Sequence, residues 1–221
     1  MPTTGYKVNG KKVPSTTTVL SRFKDATGLI IWANNLGLEG KSYFDELKKA
    51  GDIGTSFHDL AEIYIKGGEP PIADDPIVHK VFLIFKEWWD SYECEIIFTE
   101  KNYNNENLLI GGCPDLFVKK DGKNILIDFK TSKKIYGDHL IQLSAYSKLI
   151  RDGDNIEVDE AIIYRFPKDP AEDEAEIKIF SKEDLELGLS QFLLFRKAFD
   201  IDKQINKITR SKKWTIKYYK L

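Results

Sequence analysis

Three residues near the middle of the chain combine side-chain types and a spacing that suit hydrolytic chemistry: Asp115, Asp128 and Lys130. Asp121-Gly122 stands between two strand-like runs, which predicts a two-residue turn and therefore a β-hairpin. Counting outward from this turn places Asp115 opposite Asp128, with their Cβ atoms about 5 Å apart. Lys130 lies two residues beyond Asp128, so it points to the same face of the strand.

Two carboxylates this close repel each other unless a positive charge lies between them. A divalent cation that prefers oxygen ligands, Mg²⁺ or Mn²⁺, meets that need. Such a metal can activate water and stabilise a phosphoryl group, and Lys130 could orient the water or neutralise the developing charge. The alternative interpretation is an ordinary Asp–Lys ion pair at the end of a hairpin.

The elements that must position these residues follow from the hydrophobic pattern. The other face of the predicted hairpin is apolar and belongs to the core: Leu116, Val118, Ile125, Ile127 and Phe129. Helices are predicted at about 28–37, 39–50, 55–66, 77–92, 138–151 and 182–200, with strands near 94–100, 158–166 and 175–180. A small hairpin turning at Asn9-Gly10, a helix capped by Ser15 or by a following threonine, and a polar loop over Asn102–Asn107 are also predicted. This order predicts an α/β (α+β) fold with a central mixed β-sheet flanked by helices.

Length and composition predict one domain. With 221 residues, 42% of them hydrophobic, the chain can bury a core without covalent cross-links. We predict a single domain over 1–221, with an N-terminal helical elaboration at about 1–50, a catalytic core at about 51–200 and a basic C-terminal segment at 203–221. The two cysteines match neither a zinc site nor a disulfide framework. No targeting signal or bilayer-spanning apolar run is visible, so we expect a soluble, cytoplasmic protein with no membrane partner.

The charge distribution is more informative than the net charge of −2. Residues 203–221 contain seven Lys or Arg residues and no acid, and the cations alternate with aromatic residues. This mixture suits contact with phosphates and stacking on bases. A solvated tail, or an edge strand protected by lysines, is the alternative interpretation.

The order of motifs around the hairpin resembles a known superfamily. Pro114-Asp115, then twelve residues, then Asp128-Phe129-Lys130 resembles the PD-(D/E)xK nuclease motif. Upstream, Gly54 and His58 have the spacing of a signature of the RecB-like branch, and downstream Gln142 and Tyr146 have that of a second signature. Within the branch, residues 13–20 and 128–132 are similar to mitochondrial genome maintenance exonucleases and to their phage and bacterial relatives.

The resemblance implies a restriction-endonuclease-like core with an N-terminal helical region that helps to enclose DNA. The implied metal ligands are His58, Asp115, Asp128 and the backbone carbonyl of Phe129, with Glu62 and Glu100 as further candidates and Glu95 competing with Glu100. The implied catalytic residues are Asp115, Asp128, Lys130, Gln142 and Tyr146. Thr131, Ser132, Lys133 and Lys134 are expected to bind the nucleic-acid backbone. Purely structural roles are the alternatives. His58 would then be a buried histidine hydrogen-bonded to a carboxylate, and Gln142 and Tyr146 would be a surface glutamine beside a half-buried tyrosine.

The implied activity is that of a Mg²⁺- or Mn²⁺-dependent exonuclease acting on single-stranded DNA or DNA ends, in DNA repair or recombination. Relatives that carry an iron–sulfur cluster need four cysteines, so two cysteines predict that no cluster is present. Two other functions stay open. One is a nucleic-acid-binding module of the same fold with weak catalysis, and the other is an endonuclease of the restriction type.

Overall fold

The computed structural model describes residues 5–168 and 175–211. The helices are α1 (Thr16–Ser21), α2 (Thr27–Leu38), α3 (Tyr43–Ile65), α4 (Pro76–Ser91), α5 (Gly137–Asp154) and α6 (Lys182–Ser211). The strands are β1 (Lys7–Val8), β2 (Lys11–Lys12), β3 (Glu95–Thr99), β4 (Tyr103–Asn105), β5 (Ile110–Gly112), β6 (Leu116–Lys120), β7 (Lys123–Lys130), β8 (Glu160–Arg165) and β9 (Glu176–Ser181). None of the helices within these two ranges combines the length and hydropathy of a membrane span.

A five-stranded sheet forms the centre of the structure, in the order β3-β6-β7-β8-β9. The pair β7–β8 is parallel and the other three pairs are antiparallel, so the sheet is mixed. Strands β1–β2 and β4–β5 form two smaller two-stranded sheets. Helices flank the central sheet, and the predicted fold class is confirmed.

The hairpin β6–β7 has the register that its turn predicts. Lys120 faces Lys123 at the turn, and the pairing continues without a shift to Leu116 opposite Ile127. Both turn residues adopt positive φ angles, +51° for Asp121 and +79° for Gly122. A type I′ turn requires this conformation at both central positions, which is why Asp-Gly fixes the register.

The hairpin is buried on both faces, whereas the sequence predicted a single core face. Phe57 of α3 and Phe85 of α4 pack with Phe129 on one face. On the other face, Phe117 and Leu126 are fully buried in a cluster that includes residues of α5 and α6. Strand β7 is central in the sheet, so it needs cover on both sides.

Three predicted elements have other bounds in the structure. Helix α3 is continuous from Tyr43 to Ile65, where two helices were predicted on either side of about residue 52. The predicted loop Asn102–Asn107 contains β4, which pairs with β5. Helix α6 continues to Ser211, so the first part of the basic segment is helical and residues 212–221 lie outside the described residues.

Tertiary packing explains why helix α3 is continuous. Gly51 and Gly54 both lie inside this helix, and an interior glycine costs about 1 kcal/mol relative to alanine. The buried side chains of Ile53, Phe57 and Leu60 follow one face across both glycines. Packing of this face therefore outweighs the low helix propensity of the two glycines.

The N-terminal segment adopts its predicted conformation and is attached to the core. Ser15 caps α1, with its Oγ accepting a hydrogen bond from the N–H of Thr18 at 3.0 Å. The N–H of Gly111 donates to the carbonyl of Pro14 at 3.0 Å, and the Thr16 hydroxyl donates to the carbonyl of Gly111 at 3.2 Å. The small N-terminal hairpin is thereby held against strand β5.

Candidate active site

The open end of hairpin β6–β7 carries two buried acids. Asp115 is 5% exposed and Asp128 is 1% exposed. The N–H of Phe129 donates to Oδ2 of Asp115 at 2.8 Å, which fixes this carboxylate against the neighbouring strand. The hairpin register therefore determines where the first acid stands relative to the second.

Lys130 provides a half-buried positive charge between the second acid and helix α5. Its ammonium group forms an ion pair with Oδ2 of Asp128 and donates a hydrogen bond to Oε1 of Gln142 at 3.1 Å. Within the described residues, Oδ1 of Asp128 is buried without a hydrogen-bond partner. A buried carboxylate oxygen without a donor is costly, so this atom calls for a ligand.

Helix α3 contributes His58 to the site. Nδ1 of His58 lies 3.6 Å from Oδ2 of Asp115 and 3.9 Å from Oε1 of Glu100. Its neighbour Phe57 is fully buried and packs against Phe166, which holds this turn of the helix against the sheet. Each of His58, Glu100 and Asp115 offers one ligand atom, and these three atoms lie within 4.8 Å of one another.

Glu100 reaches the site through an unusual backbone conformation. It follows strand β3 and has a φ of +46°, while its N–H donates to the carbonyl of Asp115 at 2.9 Å. The thiol of Cys113 donates to Oε2 of Glu100 at 3.2 Å. A non-glycine residue in the left-handed region carries strain that is typical of functional sites.

The other two acids considered from the sequence lie elsewhere. Glu95 is exposed and faces Lys119 at the opposite end of strand β3. Glu62 shares the helix of His58, but its carboxylate forms an ion pair with Lys66. Neither belongs to the group of three donors formed by His58 and its neighbours.

Helix α5 presents Gln142 and Tyr146 as a connected pair. Nε2 of Gln142 donates to the hydroxyl of Tyr146 at 2.9 Å, while the carbonyl oxygen of the same amide accepts from Lys130. Tyr146 is buried against Gly112, where an added Cβ would lie 2.8 Å from the tyrosine ring. A chain of hydrogen bonds therefore runs from a buried tyrosine to the lysine.

The pKa values of the site reflect burial and mutual charge. Burial raises the pKa of Asp115 and of Asp128, and the positive charges of His58 and Lys130 offset this only in part. Burial alone would lower the pKa of Lys130, but the charges of Asp128 and Asp115 outweigh it and raise the pKa. The pKa of His58 is also raised, because Asp115 and Glu100 outweigh its burial. The acids and bases of the site thus support one another's charges.

The four residues predicted to bind the nucleic-acid backbone differ in exposure. Thr131 is buried, and its Oγ1 lies 3.3 Å from the position of a Cβ added to Gly54 of α3. Ser132 is half-buried and donates to the carbonyl of Lys134 at 2.9 Å. The side chains of Lys133 and Lys134 are exposed, three and four residues after Lys130 in the chain. The close contact with Thr131 gives a structural reason for a glycine four residues before His58.

Two residues near the site were not predicted as site residues from the sequence. The ring of Tyr6 lies directly against Gly111, four residues before Asp115. His139 is buried on α5, where burial and then the charge of Lys130 lower its pKa to about 4. The Gly111-Gly112 pair was the available signal, because glycine pairs permit close approach of other groups. Which group approaches the two glycines cannot be predicted from residue types alone.

The donor set fits a divalent metal. Two carboxylate oxygens and an imidazole nitrogen converge in the group formed by His58, Glu100 and Asp115. Asp128, a predicted ligand, lies outside this group, but its Oδ1 has no hydrogen-bond partner among the described residues. Hard divalent cations such as Mg²⁺ and Mn²⁺ prefer oxygen-rich sets of this kind. The predicted role of the Phe129 carbonyl stays a prediction, since only the N–H of this residue is seen to bond to the site.

Solved structures with partial similarity to this chain include the following three proteins. A protein named SSO0001 aligns over 44% of this chain and 50% of its own, with 21% identity and a TM-score of 0.27. The alkaline exonuclease LHK-Exo from Laribacter hongkongensis, in complex with dAMP, aligns over 71% of this chain and 85% of its own, with 12% identity and a TM-score of 0.38. A provisionally assigned exonuclease from Eubacterium rectale aligns over 84% and 74%, with 16% identity and a TM-score of 0.38.

The chain thus spans about half the length of SSO0001. No protein-family model matches the sequence, and no curated protein matches it significantly. All three TM-scores are low, so the function proposed below rests on the geometry of the site and on the motifs in the sequence.

Proposed function

We propose that this protein is a Mg²⁺- or Mn²⁺-dependent deoxyribonuclease of the PD-(D/E)xK type, acting as an exonuclease on single-stranded DNA or DNA ends in repair or recombination. One observation carries the proposal. His58, Glu100 and Asp115 converge as metal-binding donors, and the charges of the ion pair between Lys130 and Asp128 act on this group. Hydrolysis of a phosphodiester needs both a site for a divalent cation and a positive group near the phosphate.

Each residue has a role that follows from its contacts. Asp115, His58 and Glu100 would hold the cation, and Asp128 would add its unpartnered oxygen. When bound, a divalent cation supplies Lewis-acid activation of water and of the phosphate group. Lys130 is placed to orient water and to neutralise charge that develops on the phosphate.

Gln142 and Tyr146 act through Lys130. The Gln142 amide accepts from the ammonium group and donates to the Tyr146 hydroxyl, so the lysine is held from the side of α5 as well as by Asp128. A lysine side chain is flexible, and two fixed partners reduce the conformations that it can adopt. The buried tyrosine anchors this arrangement in the core.

The preference for DNA strands with ends is supported by the sequence. Residues 13–20 and 128–132 resemble the corresponding runs of exonucleases, and the spacing of His58, Gln142 and Tyr146 relative to the hairpin favours the RecB-like branch. Lys133 and Lys134 follow Lys130 closely in the chain and have exposed side chains, which suit contact with backbone phosphates.

The test is cleavage of an end-labelled single-stranded oligonucleotide by the wild type and by Lys130→Ala, with Mg²⁺, Mn²⁺ or EDTA. We expect metal-dependent shortening that EDTA abolishes and that Lys130→Ala slows by about 10²- to 10⁴-fold. Lys123→Ala is the matched control, because Lys123 lies on the same strand but is exposed at the turn. Wild-type rates in Lys130→Ala would refute the assignment.

Two further substrates separate the alternatives. A circular single-stranded DNA has no end, so an exonuclease leaves it intact and an endonuclease cuts it. An RNA oligonucleotide of the same sequence tests the choice of sugar. Binding that persists in EDTA, with no cleavage of any substrate, would favour a binding module.

A further inference from the structure

The small N-terminal hairpin brings an aromatic side chain to the acidic cluster. The N–H of Val13 donates to the carbonyl of Tyr6 at 2.9 Å and closes the hairpin at this residue. The segment that follows is bonded on both sides to Gly111, through the carbonyl of Pro14 and the hydroxyl of Thr16. The position of Tyr6 is therefore set by the same strand that leads into Asp115.

The ring of Tyr6 occupies the place of a missing side chain. A Cβ added to Gly111 would lie 2.0 Å from Cγ and 2.1 Å from Cδ1 of Tyr6, so the ring packs directly on the glycine. Alternate residues of an extended chain point the same way, which places Tyr6 on the side of Cys113. The thiol of Cys113 in turn bonds to Glu100 of the acidic cluster.

The hydroxyl group of Tyr6 can donate a hydrogen bond to a bound molecule. The side chain is half-buried, and no hydrogen bond joins its hydroxyl to any residue in 5–168 or 175–211. Burial is the main reason that the pKa of Tyr6 is raised to about 12, and the nearby Cys113 and Glu100 add to it, so the hydroxyl keeps its proton. A tyrosine placed only to support the hairpin needs the ring but not the hydroxyl.

We propose that Tyr6 is a substrate-binding residue, whose hydroxyl donates a hydrogen bond to a phosphate oxygen of the strand held at the acidic cluster. This inference rests on the proposed nuclease function. A tyrosine hydroxyl is one of the groups that proteins use for phosphate contacts, which fix the position of a strand without reading its sequence. The N-terminal hairpin then contributes to substrate binding as well as to the fold.

The test compares Tyr6→Phe with the wild type, because this change removes the hydroxyl and keeps the ring on Gly111. KM and kcat are measured with Mg²⁺ on a single-stranded oligonucleotide, and Kd for the fluorescein-labelled strand is measured by anisotropy with Ca²⁺. We expect KM and Kd to rise about tenfold, as for loss of one hydrogen bond to a charged group, with kcat within about twofold. Tyr92→Phe is the control, since Tyr92 is also half-buried with a pKa raised to about 12 but packs against Trp88 on the α4 side.

Each outcome of this comparison decides whether the Tyr6 hydroxyl binds the strand. Equal KM and Kd in Tyr6→Phe and the wild type, with normal cleavage by both, overturns the role of Tyr6 and leaves the nuclease function intact. A fall in kcat alone also overturns it, because the hydroxyl would then act elsewhere than in binding. If the wild type cleaves nothing, the nuclease proposal fails, and the Kd values still show whether the hydroxyl contacts the strand.

Discussion

The two ends of hairpin β6–β7 both carry lysines, but in opposite surroundings. At the turn, Lys120 and Lys123 face each other, and Lys123 reaches Glu160 across an exposed surface. At the open end, the side chain of Lys130 is 19% exposed and lies between Asp128 and Gln142. A lysine at the turn therefore keeps most of its hydration, whereas a lysine at the open end loses much of it.

The difference shows what a buried charge requires. An exposed ion pair contributes about 0–1 kcal/mol, because water solvates both partners nearly as well as they solvate each other. A buried pair must offset several kcal/mol of desolvation per ion with close contacts. At the open end, Asp128 still has an oxygen without a hydrogen-bond partner among the described residues. This is the end of the hairpin at which the proposed function requires a metal ligand.

The largest effect is expected for Lys130→Met, which removes the charge and keeps most of the side-chain volume. Asp128 loses its cationic partner in a buried setting, which costs about 3–5 kcal/mol of unfolding free energy in metal-free protein. Cleavage should fall about 10²- to 10⁴-fold. Chemical denaturation and the oligonucleotide assay measure the two effects, and an unchanged unfolding free energy would mean that the pair is solvated like the turn lysines.

The next largest effect is the stabilisation of the folded protein by a divalent cation. At a concentration of 100 times Kd, Mg²⁺ or Mn²⁺ should raise the unfolding free energy of the wild type by about 2.7 kcal/mol. Asp128→Asn should lose most of this gain, because one donor is missing. Thermal unfolding with EDTA and with metal makes the comparison. Equal stabilisation of both proteins would remove Asp128 from the metal site.

For the same variant, Asp128→Asn, we expect the change in unfolding free energy to depend on pH in metal-free protein. Burial raises the folded-state pKa of Asp128 above the value of about 3.9 in an unfolded chain. The folded state therefore binds this proton more tightly than the unfolded chain does. As the pH rises above about 4, the contribution of Asp128 to the unfolding free energy decreases. The unfolding free energy of Asp128→Asn relative to the wild type should increase from pH 4 to pH 7. A constant difference over this range would contradict the assigned burial effect.

A smaller effect is expected for Gln142→Ala. It removes one hydrogen bond to Lys130 but leaves the ion pair with Asp128, so activity should fall about tenfold, less than for loss of the lysine. The oligonucleotide assay measures this loss. Glu62→Gln is a suitable comparison, since that carboxylate pairs with Lys66, and its activity should stay near the wild-type level. A larger loss for Glu62→Gln than for Gln142→Ala would reverse the assignment of these two residues.

The smallest effect is expected for Lys123→Ala. Its ion pair with Glu160 is exposed, and the change in unfolding free energy should stay within about 0.5 kcal/mol, with cleavage unchanged. Chemical denaturation at two salt concentrations checks this. A loss comparable to that of Lys130→Met would show that the two ends of the hairpin do not differ as described.

Several structural features could be predicted from local sequence alone. Asp121-Gly122 fixes the turn, and the turn fixes which residues oppose one another along the two strands. Helix spacing places Gln142 next to Tyr146 on α5 in the same way. These relations involve residues that are close in the chain, so backbone geometry determines them before any packing is considered.

The remaining features were decided by the tertiary structure. The backbone conformation of Glu100 and the approach of Tyr6 to Gly111 depend on contacts between distant segments. Packing of one apolar face keeps α3 helical through Gly51 and Gly54, despite the low helix propensity of glycine. The sequence by itself determined the hairpin and the residue types that it presents. Only the packed structure decided which distant groups meet there, because burial and long-range contacts cannot be read from spacing along the chain.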